Sequence, residues 1–201
     1  MSQDIRICFV GDSFVNGTCD RTYLGWTGLL CVNLAERGLA VTHYNLGIRG
    51  DTSADIDRRW ELETAHRLKE GYANRLVFSF GTNDTTFQEG QRRVELTDSL
   101  HHTKQILSVA QQKYPVLMVG PPPILEAEQN DRTKILSDRF GELCADLKVP
   151  YLNIFTSLGQ SVEWLAAVRA EDGAHPGADG YIAIANLIEH WPAWSAFVPS
   201  C

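Results

Sequence analysis

Segments with the pattern of buried strands alternate with segments of helical periodicity along the whole chain. The strand candidates are short, rich in β-branched or aromatic residues, and end at Gly, Asn or Pro. They span residues 5–10, 40–46, 75–80, 115–120 and 150–154. The helical candidates span residues 23–37, 53–70, 91–113, 130–147, 158–170 and 177–190. Such alternation requires right-handed crossovers that place helices on both faces of a parallel sheet. We therefore expect a three-layer α/β fold.

The size and composition of the chain indicate one globular domain. Its 201 residues are enough for one well-packed domain and too few for two of ordinary size. Apolar residues make up 44% and charged residues 21% of the chain, as in an ordinary globular protein. No repeat, low-complexity segment or linker interrupts the pattern. We expect a single domain over residues 1–201.

The charge and the residue pattern argue against some partners and compartments. A net charge of −7 and the lack of a basic stripe argue against a nucleic-acid partner. No secretory signal precedes the first strand candidate, and no apolar run approaches the roughly 20 residues of a membrane span. The five cysteines, among them Cys201, are odd in number and show no CxxC spacing, which argues against a disulfide framework or a zinc site. We expect a cytoplasmic protein with reduced thiols.

Three connections follow strand candidates and therefore open onto the same edge of the predicted sheet. Two of them, residues 11–22 and 81–90, are longer than usual in α/β units. The third, from Gly120 to Ile124, is stiffened by three successive prolines. Ligands of parallel α/β sheets bind outside the carboxyl ends of the strands, where loops carry the binding residues. We expect the active site at this edge.

Two segments at opposite ends of the chain carry the residue types of a serine nucleophile and its base. Ser13 follows the first strand candidate, and His175 lies three residues after Asp172 on a turn before the last helical segment. A serine hydroxyl needs an imidazole to take its proton and a carboxylate to hold that imidazole in the correct tautomer. Taken singly, Ser13 is also explained as a strand-end cap, and His175 as a cap or surface residue. Together they indicate a hydrolase.

Gly47 and Asn83 follow the second and third strand candidates and could complete such a site. A glycine at a strand end can present its backbone N–H to a ligand because no side chain intervenes. An asparagine amide can donate a hydrogen bond to a developing oxyanion. Each residue also has an ordinary explanation, Gly47 as a turn glycine and Asn83 as part of a turn-forming Asn-Asp pair.

Four ordered blocks of the sequence resemble those of a known enzyme family. They are Gly11-Asp12-Ser13-Phe14, Gly47 within the segment Asn45 to Ser53, Gly81-Thr82-Asn83-Asp84, and Asp172-Gly173-Ala174-His175-Pro176. In this order they resemble the SGNH (GDSL-type) hydrolases, a family of serine esterases and lipases, with Phe14 where the family name has Leu. The resemblance implies a flavodoxin-like three-layer αβα sandwich with five parallel strands in the order 2-1-3-4-5.

The resemblance also implies hydrolysis of carboxylic esters or thioesters through an acyl-serine intermediate. It makes Ser13 the nucleophile, His175 the general base and Asp172 the acid that orients the base. The implied oxyanion hole comprises the backbone N–H groups of Ser13 and Gly47 and the side chain of Asn83. We expect no cofactor, and no metal because the other histidines are not spaced for a metal site.

The sequence does not determine the ester substrate or the group that accepts the acyl chain. Sugar acetates, lysophospholipids, aryl esters and acyl thioesters are all compatible with the predicted site. The lack of a lid-like insertion favours small-molecule esters that carry short or medium acyl chains. One alternative is acyl transfer to an alcohol or sugar acceptor. Another is a non-catalytic flavodoxin-like binding module, against which stand the missing glycine-rich phosphate loop and the acidic Asp12. The oligomeric state is not readable from the sequence.

Overall fold

A computed structural model describes residues 4–198 and confirms the expected α/β architecture. The strands, in chain order, are β1 Ile5–Gly11, β2 Val41–Gly47, β3 Ala73–Ser79, β4 Phe87–Gln88, β5 Gln91–Arg92, β6 Val116–Val119 and β7 Tyr151–Leu152. Five of them form one sheet in the order β2-β1-β3-β6-β7, with every pairing parallel. Counted within this sheet, the order is the expected 2-1-3-4-5. The other two, β4 and β5, form a separate antiparallel hairpin.

Helices cover the main sheet and connect its strands. In chain order they are α1 Ser13–Asn16, α2 Gly25–Glu36, α3 Ser53–Ala65, α4 Leu96–Ala110, α5 Ala127–Leu147, α6 Ile154–Gly159, α7 Val162–Ala170, α8 Ala178–Glu189 and α9 Pro192–Phe197. The three shortest, α1, α6 and α9, are not predicted by the periodicity. Among the described residues, no helix is both long enough and apolar enough to cross a membrane.

Three of the predicted helices have the wrong boundaries. The segment 53–70 is helical only as far as Ala65, where α3 ends. The segment 91–113 becomes helical only at Leu96, because its first residues pair in the β4–β5 hairpin. The segment 158–170 is divided between α6 and α7 by Ser161. The hydroxyl of this serine accepts a hydrogen bond from the Trp164 N–H at 3.1 Å and so starts a new helix.

Alternate side chains of β1 enter two separate hydrophobic cores. Ile5, Ile7 and Phe9 lie in the core beneath α2, α7 and α8. Cys8 and Val10 lie in the other core, beneath α3, α4 and α5. A strand buried on both faces reads as a continuous apolar run, as β1 does in the sequence. The sheet is therefore the middle layer of three.

The described cysteines carry free thiols. They are Cys8, Cys19, Cys31 and Cys144. Burial raises the pKa of Cys8, Cys31 and Cys144 to about 12, so these three remain protonated, inert thiols that fill apolar space. Cys201 lies outside the described residues.

Replacement of Gly47 by alanine should destabilise the junction between β2 and α1. A Cβ at Gly47 would lie 2.1 Å from Asn16 N and 2.7 Å from Asn16 Cα, which are backbone atoms and cannot rotate away. We expect Gly47→Ala to lower the free energy of unfolding by about 1–3 kcal/mol, as overpacking usually does. Urea unfolding measures this change.

Gly159→Ala is the matched control for this measurement. The nearest neighbour of a Cβ at Gly159 is Pro123 Cγ at 3.9 Å, which is an ordinary contact. We expect its unfolding free energy to stay within about 0.5 kcal/mol of the wild type. A Gly47→Ala variant as stable as this control would contradict the close approach of β2 to α1.

Candidate active site

Ser13 lies where β1 ends and α1 begins, at the carboxyl edge of the sheet. Asp12 caps α1, because its Oδ1 accepts a hydrogen bond from the Phe14 N–H at 3.0 Å. Gly17 follows the last residue of this helix in the left-handed conformation, with φ of 85°. Ser13 is only 2% exposed, so the surrounding protein holds its hydroxyl in a defined position.

His175 bridges Ser13 and Asp172. Its Nε2 lies 2.7 Å from Ser13 Oγ, and its Nδ1 lies 2.8 Å from Asp172 Oδ2. The second carboxylate oxygen, Asp172 Oδ1, accepts hydrogen bonds from the backbone N–H groups of Ala174 and His175 at 3.0 and 2.8 Å. With Asp172 accepting from Nδ1–H, Nε2 is the ring atom that can accept the serine proton. The structure thus joins three residues predicted from the sequence into one hydrogen-bond chain.

The carboxylate of Asp172 is strongly stabilised in its charged form. Partial burial alone would raise its pKa, but the hydrogen bonds from His175 and Ala174 outweigh this effect and lower the pKa to about 2. Two further groups approach Asp172 Oδ2, the Arg49 guanidinium at 3.6 Å and Cys19 Sγ at 3.8 Å. Asp172 is therefore ionised at any pH near neutrality.

The histidine segment is attached to the loops on either side of it. The Leu125 N–H, just after the proline-rich loop, donates to the Gly173 carbonyl at 2.9 Å. The ring of Phe14 packs against the imidazole of His175, with ring centroids 5.0 Å apart. Phe14 therefore has a packing function beside the serine. These contacts limit the movement of His175 relative to Ser13.

Asn83 lies half-buried at the carboxyl end of β3 and is fixed by the loop after β2. Its Nδ2 donates to the Asp51 carbonyl at 2.9 Å. A side-chain amide has two N–H groups, so one remains available to a ligand. The next residue, Asp84, anchors the same two loops, since its Oδ1 accepts from the Ser53 N–H at 2.8 Å.

Gly47 is placed at the end of β2, but its N–H is already used. It donates to the side-chain oxygen of Asn45 at 2.9 Å. Gly50, which sequence reasoning missed, lies in the following turn with φ of 88°. Within residues 4–198 the Gly50 N–H has no hydrogen-bond acceptor. The signal for it is a glycine in a turn directly before the Thr52 cap of α3.

Gly50 lies between two residues that contact the site from opposite sides. The side chain of Arg49 reaches Asp172, and the carbonyl of Asp51 accepts the hydrogen bond from Asn83. The turn that contains the free Gly50 N–H therefore contacts both the Asp172 carboxylate and the Asn83 amide.

A buried acidic residue lies directly behind the serine. Burial raises the pKa of Asp12 to about 7, opposed by its hydrogen bond from Phe14, and the nearby carboxylates of Asp84 and Asp51 raise it further. Asp12 Oδ2 has no hydrogen-bond partner among the described residues. A carboxyl that is partly protonated near neutral pH repels a developing oxyanion less than an ionised one would.

One group of described side chains is close enough to share a metal ion, and it overlaps the hydrogen-bond chain. The ligand atoms of Cys19, Asp172 and His175 all lie within 4.8 Å of one another. The Asp172 and His175 atoms already form the bonds described above. The arrangement therefore favours proton transfer over metal binding.

Comparison with known proteins agrees with this fold. The sequence pattern of the GDSL-like Lipase/Acylhydrolase family matches residues 9–183. A lipase/acylhydrolase from Enterococcus faecalis has a TM-score of 0.73 at 22% identity, with 94% of this chain and 93% of that chain covered. A catalytic mutant of an acetylxylan esterase from Geobacillus stearothermophilus has a TM-score of 0.75 at 15% identity, with 100% and 99% covered. No curated protein sequence gave a match.

The matched region contains every residue of the candidate site. Residues 9–183 include Ser13, Gly50, Asn83, Asp172 and His175. The solved structures, at these identities, show that the fold is shared along nearly the whole chain. The family resemblance inferred from four sequence blocks is thereby confirmed, and the chain belongs to the GDSL-like lipase/acylhydrolase family of hydrolases.

Proposed function

We propose that the protein is a serine hydrolase that cleaves carboxylic esters or thioesters of small molecules through an acyl-serine intermediate. The observation that carries this proposal is the chain of hydrogen bonds from Ser13 through His175 to Asp172, with links of 2.7 and 2.8 Å. The family description, lipase/acylhydrolase, supports an ester as the substrate. A non-catalytic binding module would have no need of this arrangement.

In the proposed reaction the proton moves through His175. As Ser13 Oγ attacks the carbonyl carbon, Nε2 takes the serine proton and the ring becomes an imidazolium. The charged Asp172 stabilises that cation. The imidazolium then protonates the leaving oxygen or sulfur, which departs and leaves the acyl group on Ser13. Water attacks the acyl-serine by the same route, with His175 again as the base.

We propose that the oxyanion is bound by the Ser13 N–H, the free N–H of the Asn83 amide and the Gly50 N–H. Ser13 is the first residue of α1, so its N–H has no acceptor within that helix. The sequence favoured Gly47 as the third donor. We replace it with Gly50, because the Gly47 N–H is bonded to Asn45 while the Gly50 N–H is free in the described chain.

The acyl chain is proposed to be short or medium in length. The insertion at this edge within the described residues is the β4–β5 hairpin, whose strands have two residues each. The hairpin is held to the body by Arg132, whose guanidinium lies 4.5 Å from the ring centre of Phe87. A hairpin of this size is too small to enclose a long acyl chain.

Two further proposals concern the whole chain. The two cores share the single sheet, which supports one domain over residues 1–201. The free thiols support a cytoplasmic location, where cysteines stay reduced.

Ser13→Ala should abolish ester hydrolysis. Removal of the nucleophile from a serine triad lowers kcat by roughly 10⁶-fold. Hydrolysis of p-nitrophenyl esters with two to sixteen carbons in the acyl chain measures this loss and gives the preferred acyl length. Ser195→Ala, an exposed serine on α9, is the control and should retain full activity. Activity that survives in Ser13→Ala would show that the nucleophile is another residue.

Asp172→Asn should lower kcat by about 10³–10⁴-fold, because the amide no longer stabilises the imidazolium or the correct tautomer. The protein contains a matched control. His102 Nδ1 lies 2.8 Å from Asp57 Oδ2, the same distance as in the His175–Asp172 pair, but on α4 and α3. Asp57→Asn should leave kcat unchanged. Equal kcat values for the two variants would contradict the orienting role of Asp172.

Asn83→Ala should lower kcat by about 10²–10³-fold, the usual effect of losing one oxyanion donor.

The contributions of the Gly50 and Gly47 N–H groups are distinguished by replacing a single backbone amide with an ester, through incorporation of glycolic acid at position 50 or 47. This change removes the N–H and preserves the space. We expect a loss of about 10²-fold at position 50 and a change of less than about threefold at position 47. The reverse order would restore Gly47 as the donor.

A further inference from the structure

A cavity of about 500 Å³ lies beside the triad, between the loop after α1 and the turn after β2. Its lining includes a tyrosine and four planar hydrogen-bonding side chains, namely Tyr23, Asn16, Arg21, Arg49 and Glu171. Two lining residues contact the triad, since Cys19 Sγ and the Arg49 guanidinium lie 3.8 and 3.6 Å from Asp172 Oδ2. The cavity is therefore adjacent to the reacting groups.

The cavity lies beside Asp172, where the alcohol part of an ester could bind. His175 Nε2, 2.7 Å from Ser13 Oγ, must hand the serine proton to the leaving oxygen, so that oxygen has to approach His175. The proposed oxyanion donors Gly50 and Asn83 belong to the turn after β2 and the loop after β3, so the carbonyl oxygen is directed to these two groups rather than to His175. A leaving alcohol therefore extends past His175 and Asp172, toward the cavity.

Tyr23 is presented to this cavity by a strained backbone. Its φ is 61°, in the left-handed region, and it is 91% exposed. Buried Asp20 fixes the turn, because its carboxylate accepts hydrogen bonds from the Thr22 and Gly25 N–H groups at 2.8 Å each. Holding a bulky residue in this conformation costs about 1–3 kcal/mol. An exposed ring recovers none of that cost by packing, and its face is free to contact a ligand in the cavity.

The cavity lining carries two basic residues, Arg21 and Arg49, and two acidic residues, Asp20 and Glu171, so its formal charges balance. Several of its polar groups are unoccupied. The Arg49 side chain is 65% exposed and uses one nitrogen for its contact with Asp172. Within residues 4–198, neither Arg21 nor Glu171 forms a side-chain hydrogen bond or an ion pair. An anionic ligand would be repelled by Glu171, and a cationic one by the two arginines. Such a set of donors and acceptors suits a neutral ligand with many hydroxyl groups.

We propose that this cavity binds the alcohol part of the substrate and that this part is a pyranose sugar. The C–H face of the sugar ring packs on the apolar face of Tyr23, and its hydroxyls exchange hydrogen bonds with Arg21, Arg49 and Glu171. The proposal rests on the proposed ester hydrolysis at Ser13. The acyl carbon bonds to Ser13 Oγ as its bond to the sugar oxygen breaks, and the sugar leaves as a free alcohol with the proton from His175.

The test varies the alcohol while the acyl group stays constant. Acetate release is compared for the mono-acetates of methyl gluco-, galacto- and xylopyranoside and for cyclohexyl acetate. All four esters give the same acetyl-enzyme, so differences in kcat/KM come from the alcohol. We expect kcat/KM for at least one sugar acetate to exceed that for cyclohexyl acetate by about tenfold or more, the effect of one or more good ring and hydroxyl contacts.

Variants of the lining residues test whether the preference for sugar acetates arises in the cavity. Tyr23→Ala and Arg49→Ala should each reduce the ratio of sugar acetate to cyclohexyl acetate by about tenfold. Tyr72→Ala and Arg139→Ala are the controls and should leave it unchanged. Tyr72 is an exposed tyrosine beside Arg6, and Arg139 is an exposed arginine on α5 that pairs with Glu142.

The proposal is overturned if cyclohexyl acetate is cleaved as well as all three sugar acetates, or if Tyr23→Ala keeps the wild-type ratio. Failure of the proposed hydrolase function gives a different result, in which the wild type and Ser13→Ala are equally inactive on every ester. The sugar site is then decided by saturation-transfer NMR with the three methyl pyranosides. A signal that is present in the wild type and lost in Tyr23→Ala supports the site, and no signal overturns it.

Discussion

The burial of β1 on both faces is the constraint on which the rest of the structure depends. This strand pairs with β2 on one side and β3 on the other, and its side chains enter both cores. Its direction is therefore fixed, and the chain leaves it at one defined point. Ser13 lies directly after that point, so its position is set by a strand that is paired on both sides and buried on both faces. The loops that end β2 and β3 bring Gly50 and Asn83 to the same edge.

Ser13, the proposed nucleophile, needs a base that is held in place equally well, and the proposed base, His175, comes from the second half of the chain. His175 lies 162 residues after Ser13 in the sequence. The gap is closed by hydrogen bonds that connect separate elements, such as Tyr181 Oη to the Thr18 carbonyl at 2.7 Å. Tyr181 belongs to α8, so the helix that follows the histidine also anchors the loop that follows the serine. Packing of α8 in the core thereby contributes to the alignment of Ser13 and His175.

The sequence was sufficient to predict the parallel sheet and the proximity of Ser13, His175 and Asp172. Alternation of apolar strands and amphipathic helices predicts a parallel sheet, the family resemblance implies its strand order, and polar residues at strand ends identify the edge. Gly47 shows where this reasoning fails. A strand-end glycine looks like an exposed donor in the sequence, but the Asn45 side chain folds back onto its N–H, and only the coordinates show this. The β4–β5 hairpin was missed for a similar reason, since strands of two residues are too short to show periodicity.

The loop after α1 illustrates how stability and function are balanced at this edge. Cys19 and Tyr23 both adopt positive φ without being glycine, at 71° and 61°. Two such residues within one short loop are unfavourable for folding, and the conformation persists because Asp20 and Tyr181 bind the loop backbone from inside. The loop is thus held in this conformation, with Tyr23 in solvent and Cys19 against Asp172. It does not have to become ordered when a ligand binds. A ligand that meets a loop already in its binding conformation loses less free energy to ordering. For the proposed alcohol site, the strain in this loop is therefore the cost of preorganisation, and the hydrogen bonds from Gly25 to Asp20 and from Tyr181 to Thr18 offset part of that cost.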